Sequence, residues 1–153
     1  MRITTTEEAL RMKAALFVDP EVPRVGPEEP WASLIDKVKA HPEHTVLVVD
    51  ANNVLLGIVT DHDLLDAISN PEKLERIQKG VLTARDVMTP VDPNGDSVAR
   101  SWEEIGQVIE RLRGSNMEKR PFKVMPLVDG SGVVLGQVTR TSIQRALDEL
   151  LRS

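Results

Sequence analysis

Residues 46–68, VLVVDANNVLLGIVTDHDLLDAI, are written again as residues 125–147, MPLVDGSGVVLGQVTRTSIQRAL, each position 79 after its counterpart. Val49/Val128, Asp50/Asp129, Val54/Val133, Leu56/Leu135, Gly57/Gly136, Val59/Val138, Thr60/Thr139 and Ala67/Ala146 are identical pairs. A repeat at fixed spacing marks one structural unit used twice, and two such units pack about a pseudo-twofold axis with clefts between them. Function is expected at that seam and at the positions where the copies differ.

Working outward, residues 45–49 form an apolar, β-branched run that reads as a buried strand. Residues 50–53 are the turn, 54–59 the returning strand and 61–68 a helix with Leu64, Leu65 and Ile68 apolar. Upstream, Pro30 suits the first turn of a helix whose Trp31, Leu34, Ile35 and Val38 share a face. That helix ends near His41-Pro42. The same order recurs in the second copy. Trp102, Ile105, Val108, Ile109 and Leu112 form a helical face that opens, like its counterpart, with tryptophan. Strands at 124–128 and 133–138, the turn 130–132 and a helix over 142–151 follow. The second copy is about eight residues longer, an excess assigned to the polar loop 114–122. Ahead of both copies, Thr5 and Glu8 make a capping box for a helix running to about Phe17. Residues 21–30 read as loop or a very short strand. The predicted division is an N-terminal helix (1–16), a first unit (17–70), a linker with a helix at 72–79 (71–85) and a second unit (86–153).

Composition narrows the function classes. The chain has 153 residues, 41% of them hydrophobic, which is ordinary for a globular protein. A formal charge of −5 argues against a nucleic-acid-coating surface. No apolar run approaches the roughly 20 residues that span a bilayer. No signal-peptide pattern opens the chain, so a cytoplasmic protein is expected. Without cysteine there is no disulfide, thiolate metal site or cysteine nucleophile. No P-loop, GxGxxG or GxSxG is present, and with three histidines no nucleophile–base pair suggests itself. The pairs His41/His44 and Asp61-His62-Asp63 are too sparse for a zinc site, and the former is expected to be solvated. Met88, Met117 and Met125 read as core or loop residues, and Glu118-Lys119-Arg120 as an exposed charge run.

The pattern V-V-D-x-x-x-x-L-x-G-h-x-T-x-x-D at 48–63 resembles the core of a cystathionine-beta-synthase (CBS) domain. Residues 126–142 repeat it except at the last position, where Ser142 replaces the aspartate. Asp86-Val87-Met88-Thr89-Pro90 resembles the opening of such a domain. The resemblance covers about 17–151 and implies an α/β (α+β) fold of two β-α-β-β-α units packed through their sheets with pseudo-twofold symmetry. It further implies a non-catalytic regulatory sensor, often a homodimer, that binds AMP, ADP, ATP or S-adenosylmethionine in its clefts and acts on a separate partner. Magnesium can accompany the nucleotide phosphates.

On that resemblance, one cleft combines Ile58, Thr60 and Asp63 with Thr89, Lys123, Val124 and Met125. Gly57 and Gly136, ending the second strands, would let backbone approach a ligand. Thr60 stands at a helix entrance that favours phosphate. The Asp63 carboxylate accepts both hydroxyls of a ribose, at about 1.5–3 kcal/mol per charge-assisted bond, and Ile58 and Val124 flank the adenine. The purely structural alternative stays open: Thr60 as a plain N-cap and Asp63 as a first-turn carboxylate favoured by the helix dipole. The other cleft combines Val18, Thr45, Val46 and Leu47 with Thr139, Arg140 and Ser142. Phe17-Val18 is taken to stand where the second unit has Met88-Thr89, so this cleft lacks two polar contacts and is expected to be weaker, with Arg140 still able to attract phosphate. A scaffold or dimerisation module that binds no nucleotide is the competing reading. The 1–16 helix and the 114–122 loop are candidate partner surfaces.

Overall fold

The computed structural model describes residues 5–114 and 124–152. Chain contacts divide it into a continuous unit, Val22–Pro93, and a split unit made of Met1–Glu21 and Asn94–Ser153. These compact units differ from the division drawn from sequence. Residues 17–21 join the second copy, and the expected linker folds into the first.

The continuous unit contains β1 (Arg24–Val25), α2 (Trp31–Ala40), β2 (Thr45–Val49), β3 (Leu55–Thr60), α3 (Asp61–Ser69), α4 (Pro71–Gln78), α5 (Ala84–Val87) and β4 (Thr89–Pro90). Its sheet runs β1-β2-β3-β4, with β1 parallel to β2 and the other pairs antiparallel. Every residue of β2 is buried, as expected of a strand covered on both faces. Val46, Val48 and Val59 meet Leu34 and Val38 of α2 and Leu64 and Ala67 of α3 in one apolar core. Leu82 and Ala84 from the expected linker, and Val87 from the expected start of the second unit, belong to that same core. Their burial is why residues 71–85 fold as part of this unit.

The split unit contains α1 (Thr6–Leu10), a 3-10 turn (Ala14–Phe17), β5 (Ala99–Arg100), α6 (Ile105–Gly114), β6 (Val124–Val128), β7 (Val134–Thr139) and α7 (Arg140–Arg152). Its sheet is β5-β6-β7, and Asp19 adds an antiparallel bridge to Gln137 of β7. Ala14 and Phe17 enter a core with Ile105, Val108, Met125, Leu127, Val138 and Ile143. The N-terminal helix is shorter than predicted, because the chain leaves α-helical geometry after Leu10 to bring Ala14 and Phe17 into that core. Trp102 also departs from expectation. It lies in a turn ahead of α6, 54% exposed, whereas Trp31 is the first residue of α2.

The hairpins of the two copies share their chemistry. Asp50 Oδ1 accepts from the N–H groups of Asn52 and Val54 at 2.8 and 3.0 Å. Asp129 Oδ1 does the same with Ser131 and Val133 at 2.8 and 3.1 Å. Asn53 and Gly132 take the left-handed conformation that closes each turn, at φ 64° and 81°. The register slips at the same place in both, between Val48/Val49 and between Leu127/Val128.

Candidate functional site

Thr60 ends β3 in an extended conformation and caps α3. Asp63 Oδ2 accepts from the Thr60 N–H at 2.9 Å and from its hydroxyl at 3.1 Å, while the Asp63 N–H donates to Thr60 Oγ1 at 3.4 Å. This is a capping box with aspartate in the role more often played by glutamate. The second carboxylate oxygen looks elsewhere. Asp63 Oδ1 accepts from the Thr89 hydroxyl at 2.7 Å. Thr89 is carried by β4, whose two residues pair with Gly57 and Ile58. A carboxylate only 6% exposed needs donors to offset lost hydration, and here it has three.

Gly57 explains how β4 comes so near. It lies inside β3, opposite Pro90, and a Cβ there would stand 2.7 Å from both Met88 Sδ and the Thr89 carbonyl oxygen. Gly136 lies inside β7 with φ +152°, and a Cβ on it would collide with the Asp19 carbonyl oxygen and Val18 Cγ2. Neither glycine ends its strand, as the sequence reading expected. The backbone that approaches each one is the chain's own edge segment.

In the second copy Thr139 caps α7 through Ser142. Ser142 Oγ accepts from the Thr139 N–H at 2.9 Å and donates to the Thr139 carbonyl at 3.0 Å, while the Ser142 N–H donates to Thr139 Oγ1 at 2.9 Å. The cap survives without its charge. Pairing also corrects the expected correspondence of the opening segments. Ile58 pairs with Thr89, and its counterpart Gln137 pairs with Asp19. The residue in the place of Thr89 is therefore Asp19, not Val18. An alignment anchored on proline, Phe17-Val18-Asp19-Pro20 against Val87-Met88-Thr89-Pro90, carries that signal in the sequence. The second copy thus retains one acid and one hydroxyl with their positions exchanged. Asp19 Oδ1 accepts from the Glu21 N–H at 3.0 Å.

Of the residues expected in the first cleft, Ile58, Thr60, Asp63 and Thr89 share the continuous unit, and Ile58 is buried. Val124 and Met125 are buried residues of β6 in the split unit, Met125 within its core. Lys123 lies outside the described residues, as do Met117 and Glu118-Lys119-Arg120. Of the second set, Val18, Thr139, Arg140 and Ser142 share the split unit, with Arg140 exposed at the start of α7. Thr45, Val46 and Leu47 are buried in β2 of the continuous unit. His41, expected to be solvated, is 7% exposed, and its Nδ1 accepts from the Glu43 N–H at 3.1 Å. Among the described residues no group of three or more His, Asp or Glu is arranged to hold a metal. No helix among them is long and apolar enough to cross a membrane.

Asp86 repeats the Asp63 arrangement in a different setting. Its Oδ2 accepts from the Thr83 N–H and hydroxyl at 3.0 and 3.1 Å, and its Oδ1 faces the Arg76 guanidinium at 3.1 Å. Burial works to raise the Asp86 carboxyl, but the Thr83 N–H, the Arg76 guanidinium and the Thr83 hydroxyl together hold it below the ordinary aspartate value.

A family model described as CBS domain matches residues 14–70. Inosine-5'-monophosphate dehydrogenase of Nitrosopumilus maritimus is 33% identical over 103 residues, 67% of this chain, and the chain spans only 17% of that protein's length. The solved structure of CBSX2 in complex with AMP is 24% identical, with a TM-score of 0.72, and the alignment covers 90% of this chain and 97% of that one. The CBS-pair protein CBSX2 from Arabidopsis thaliana is 25% identical with a TM-score of 0.62, over 92% and 97% of the two chains. A CBS domain model thus matches the first copy directly, and the second copy is written in the same residues and folded on the same hairpin, so the chain resembles a tandem of two CBS domains.

Proposed function

We propose that the chain is a non-catalytic regulatory module that senses an adenine nucleotide or another adenosine derivative, with Asp63 as acceptor for the sugar hydroxyls. The observation that carries this reading is the nearly buried Asp63 carboxylate, held in place by a helix cap on one oxygen and turned towards an edge strand with the other. Thr60, at the entrance of α3, stands where backbone N–H groups favour a phosphate. Ile58, Thr60, Asp63 and Thr89 are the contact residues of this site. Thr139, Arg140 and Ser142, with Asp19 now in place of Val18, form the weaker counterpart. The AMP held by CBSX2 supports the adenosine class of ligand. Magnesium would enter only with nucleotide polyphosphates. A homodimer acting on a separate regulated protein belongs to the same reading.

Thermal melting with AMP, ADP, ATP and S-adenosylmethionine tests it. A ligand at 100 times its dissociation constant adds about 2.7 kcal/mol of stability. Asp63→Asn should abolish that shift while keeping the fold. The scaffold reading is favoured by one observation, the internal satisfaction of Asp63 by Thr60 and Thr89. A melting temperature unmoved by all four compounds would establish it instead.

A further inference from the structure

The Asp63 carboxylate has about four acceptor positions on its two oxygens. Three are filled from within the chain, by the Thr60 N–H, the Thr60 hydroxyl and the Thr89 hydroxyl. A vicinal diol brings two donors. It cannot be clamped through both hydroxyls unless one internal donor leaves.

The chain itself distinguishes the fixed donors from the exchangeable one. Thr60–Asp63 and Thr83–Asp86 are two copies of the same T-x-x-D cap, and in each Oδ2 takes the threonine N–H and hydroxyl at nearly equal distances. What varies is the partner of Oδ1: Thr89 in one, Arg76 in the other. The cap therefore commits Oδ2 and leaves Oδ1 to whatever donor the surroundings offer. Losing Thr89 from Oδ1 leaves the cap of α3 whole and opens two acceptor positions on a single oxygen.

We propose that Thr89 is a built-in competitor for the ligand: its hydroxyl occupies Asp63 Oδ1, and a sugar diol displaces it and loosens β4. The inference rests on reading Asp63 as the diol acceptor. It turns Thr89 from a ligand contact into a positioning residue that reports occupancy. β4 is only two residues long, with Val91 N–H donating to the Leu56 carbonyl at 3.0 Å just beyond it. Loss of the 2.7 Å Thr89 bond therefore removes the side-chain tie between this edge and the start of α3. β4 is also the last element of the continuous unit before the chain passes at Asn94 into the split one. Occupancy of Asp63 is thereby registered in the connecting segment 91–93.

A competitor lowers apparent affinity by the fraction of molecules in which it is seated. Calorimetric titration of the wild type, Thr89→Val and Thr89→Ser with AMP, ADP, ATP and S-adenosylmethionine reads that fraction. Thr89→Val should bind the preferred compound about three- to tenfold more tightly, the range set by one modest hydrogen bond. Thr89→Ser, which keeps the hydroxyl, should bind like the wild type. Equal or weaker binding by Thr89→Val, with the wild type binding normally, overturns the proposal alone. No binding of any of the four compounds by the wild type overturns it together with the reading beneath it. Should Thr89→Val fail to fold, amide exchange in the wild-type protein decides. Faster exchange at Thr89 and Val91 on ligand addition supports displacement, and unchanged or slower exchange refutes it.

Discussion

The two copies solve one local problem with different chemistry. At the start of α3 a carboxylate closes the capping box and has an oxygen left for Thr89. At the start of α7 a serine closes it, spends its proton on the Thr139 carbonyl, and brings no charge. The edge segment compensates in kind: Thr89 pairs beside the acid-bearing copy, and Asp19 beside the serine-bearing one. Duplication preserved the backbone pattern of strand, bulge and cap. The side chains at the N3 position and on the edge segment were free to diverge, because either residue at the N3 position satisfies the helix.

The largest predicted effect tests the part that was preserved. Gly136→Ala places a Cβ against the Asp19 carbonyl at φ +152°, where L residues are strained. It should cost about 3 kcal/mol, read as a fall in the denaturant midpoint. Gly57→Ala meets a flexible thioether as well as the Thr89 carbonyl, and should cost less, about 1–2 kcal/mol. Equal losses would mean that the two edge approaches are mechanically alike. Next comes the pair that diverged. Asp63→Ala strands the Thr60 N–H and the Thr89 hydroxyl and should cost about 2–3 kcal/mol. Ser142→Ala loses a cap alone, at about 1 kcal/mol.

Much of this contrast was legible in the residues. Thr45–Val49 and Val124–Val128 have the boundaries that periodicity predicts, because an apolar β-branched run flanked by turn residues has few other uses. The Thr60 cap and the Asp63-to-Ser142 change are also readable. Of the two-residue strands, β1 falls in the 21–30 stretch read as loop or a very short strand, but β4 and β5 were not legible. β4 and the Asp19 bridge are fixed by where Gly57 and Gly136 let another backbone approach, a tertiary fact with no local period. Register decides which residue faces the cap, and the only local mark of the counterpart of Thr89 is the shared proline, Pro20 against Pro90. Leu82, Ala84 and Val87 sit in a stretch too polar to read as core, and only packing places them there.

Acid stability separates the units further. In the split unit, burial opposes the Glu103 charge, but the Arg111 guanidinium and the Arg100 N–H and guanidinium outweigh it and hold the carboxyl below its ordinary 4.5. A lowered folded value means that this stabilisation is complete above 4.5 and disappears as pH falls through the lowered value. Glu103→Gln should therefore be about 1–2 kcal/mol less stable than wild type near neutrality, with the gap closing below pH 4.5. In the continuous unit Glu29 is lowered first by its hydrogen bond to Lys37, then by Ser33. Its glutamine variant should show the same sign and a smaller gap, because Lys37 is the more exposed partner. Melting curves from pH 3 to 7 check both.

The finest distinction is reached by exchanging the divergent pair. Ser142→Asp alone puts a carboxylate where the first copy has Asp63, with Asp19 in the register position of Thr89. In the continuous unit the corresponding side-chain oxygens are 2.7 Å apart, a separation that suits an acid and a hydroxyl and repels two acids. The single variant should therefore lose stability without gaining a ligand site. Adding Asp19→Thr restores the first-copy pairing of N3 acid and edge hydroxyl. The double variant should recover that stability and raise the nucleotide stoichiometry measured by calorimetry from one to two per chain. A stoichiometry that stays at one, with the stability recovered, would show that cap and edge chemistry govern folding in both copies while ligand competence in the second is withheld by other residues.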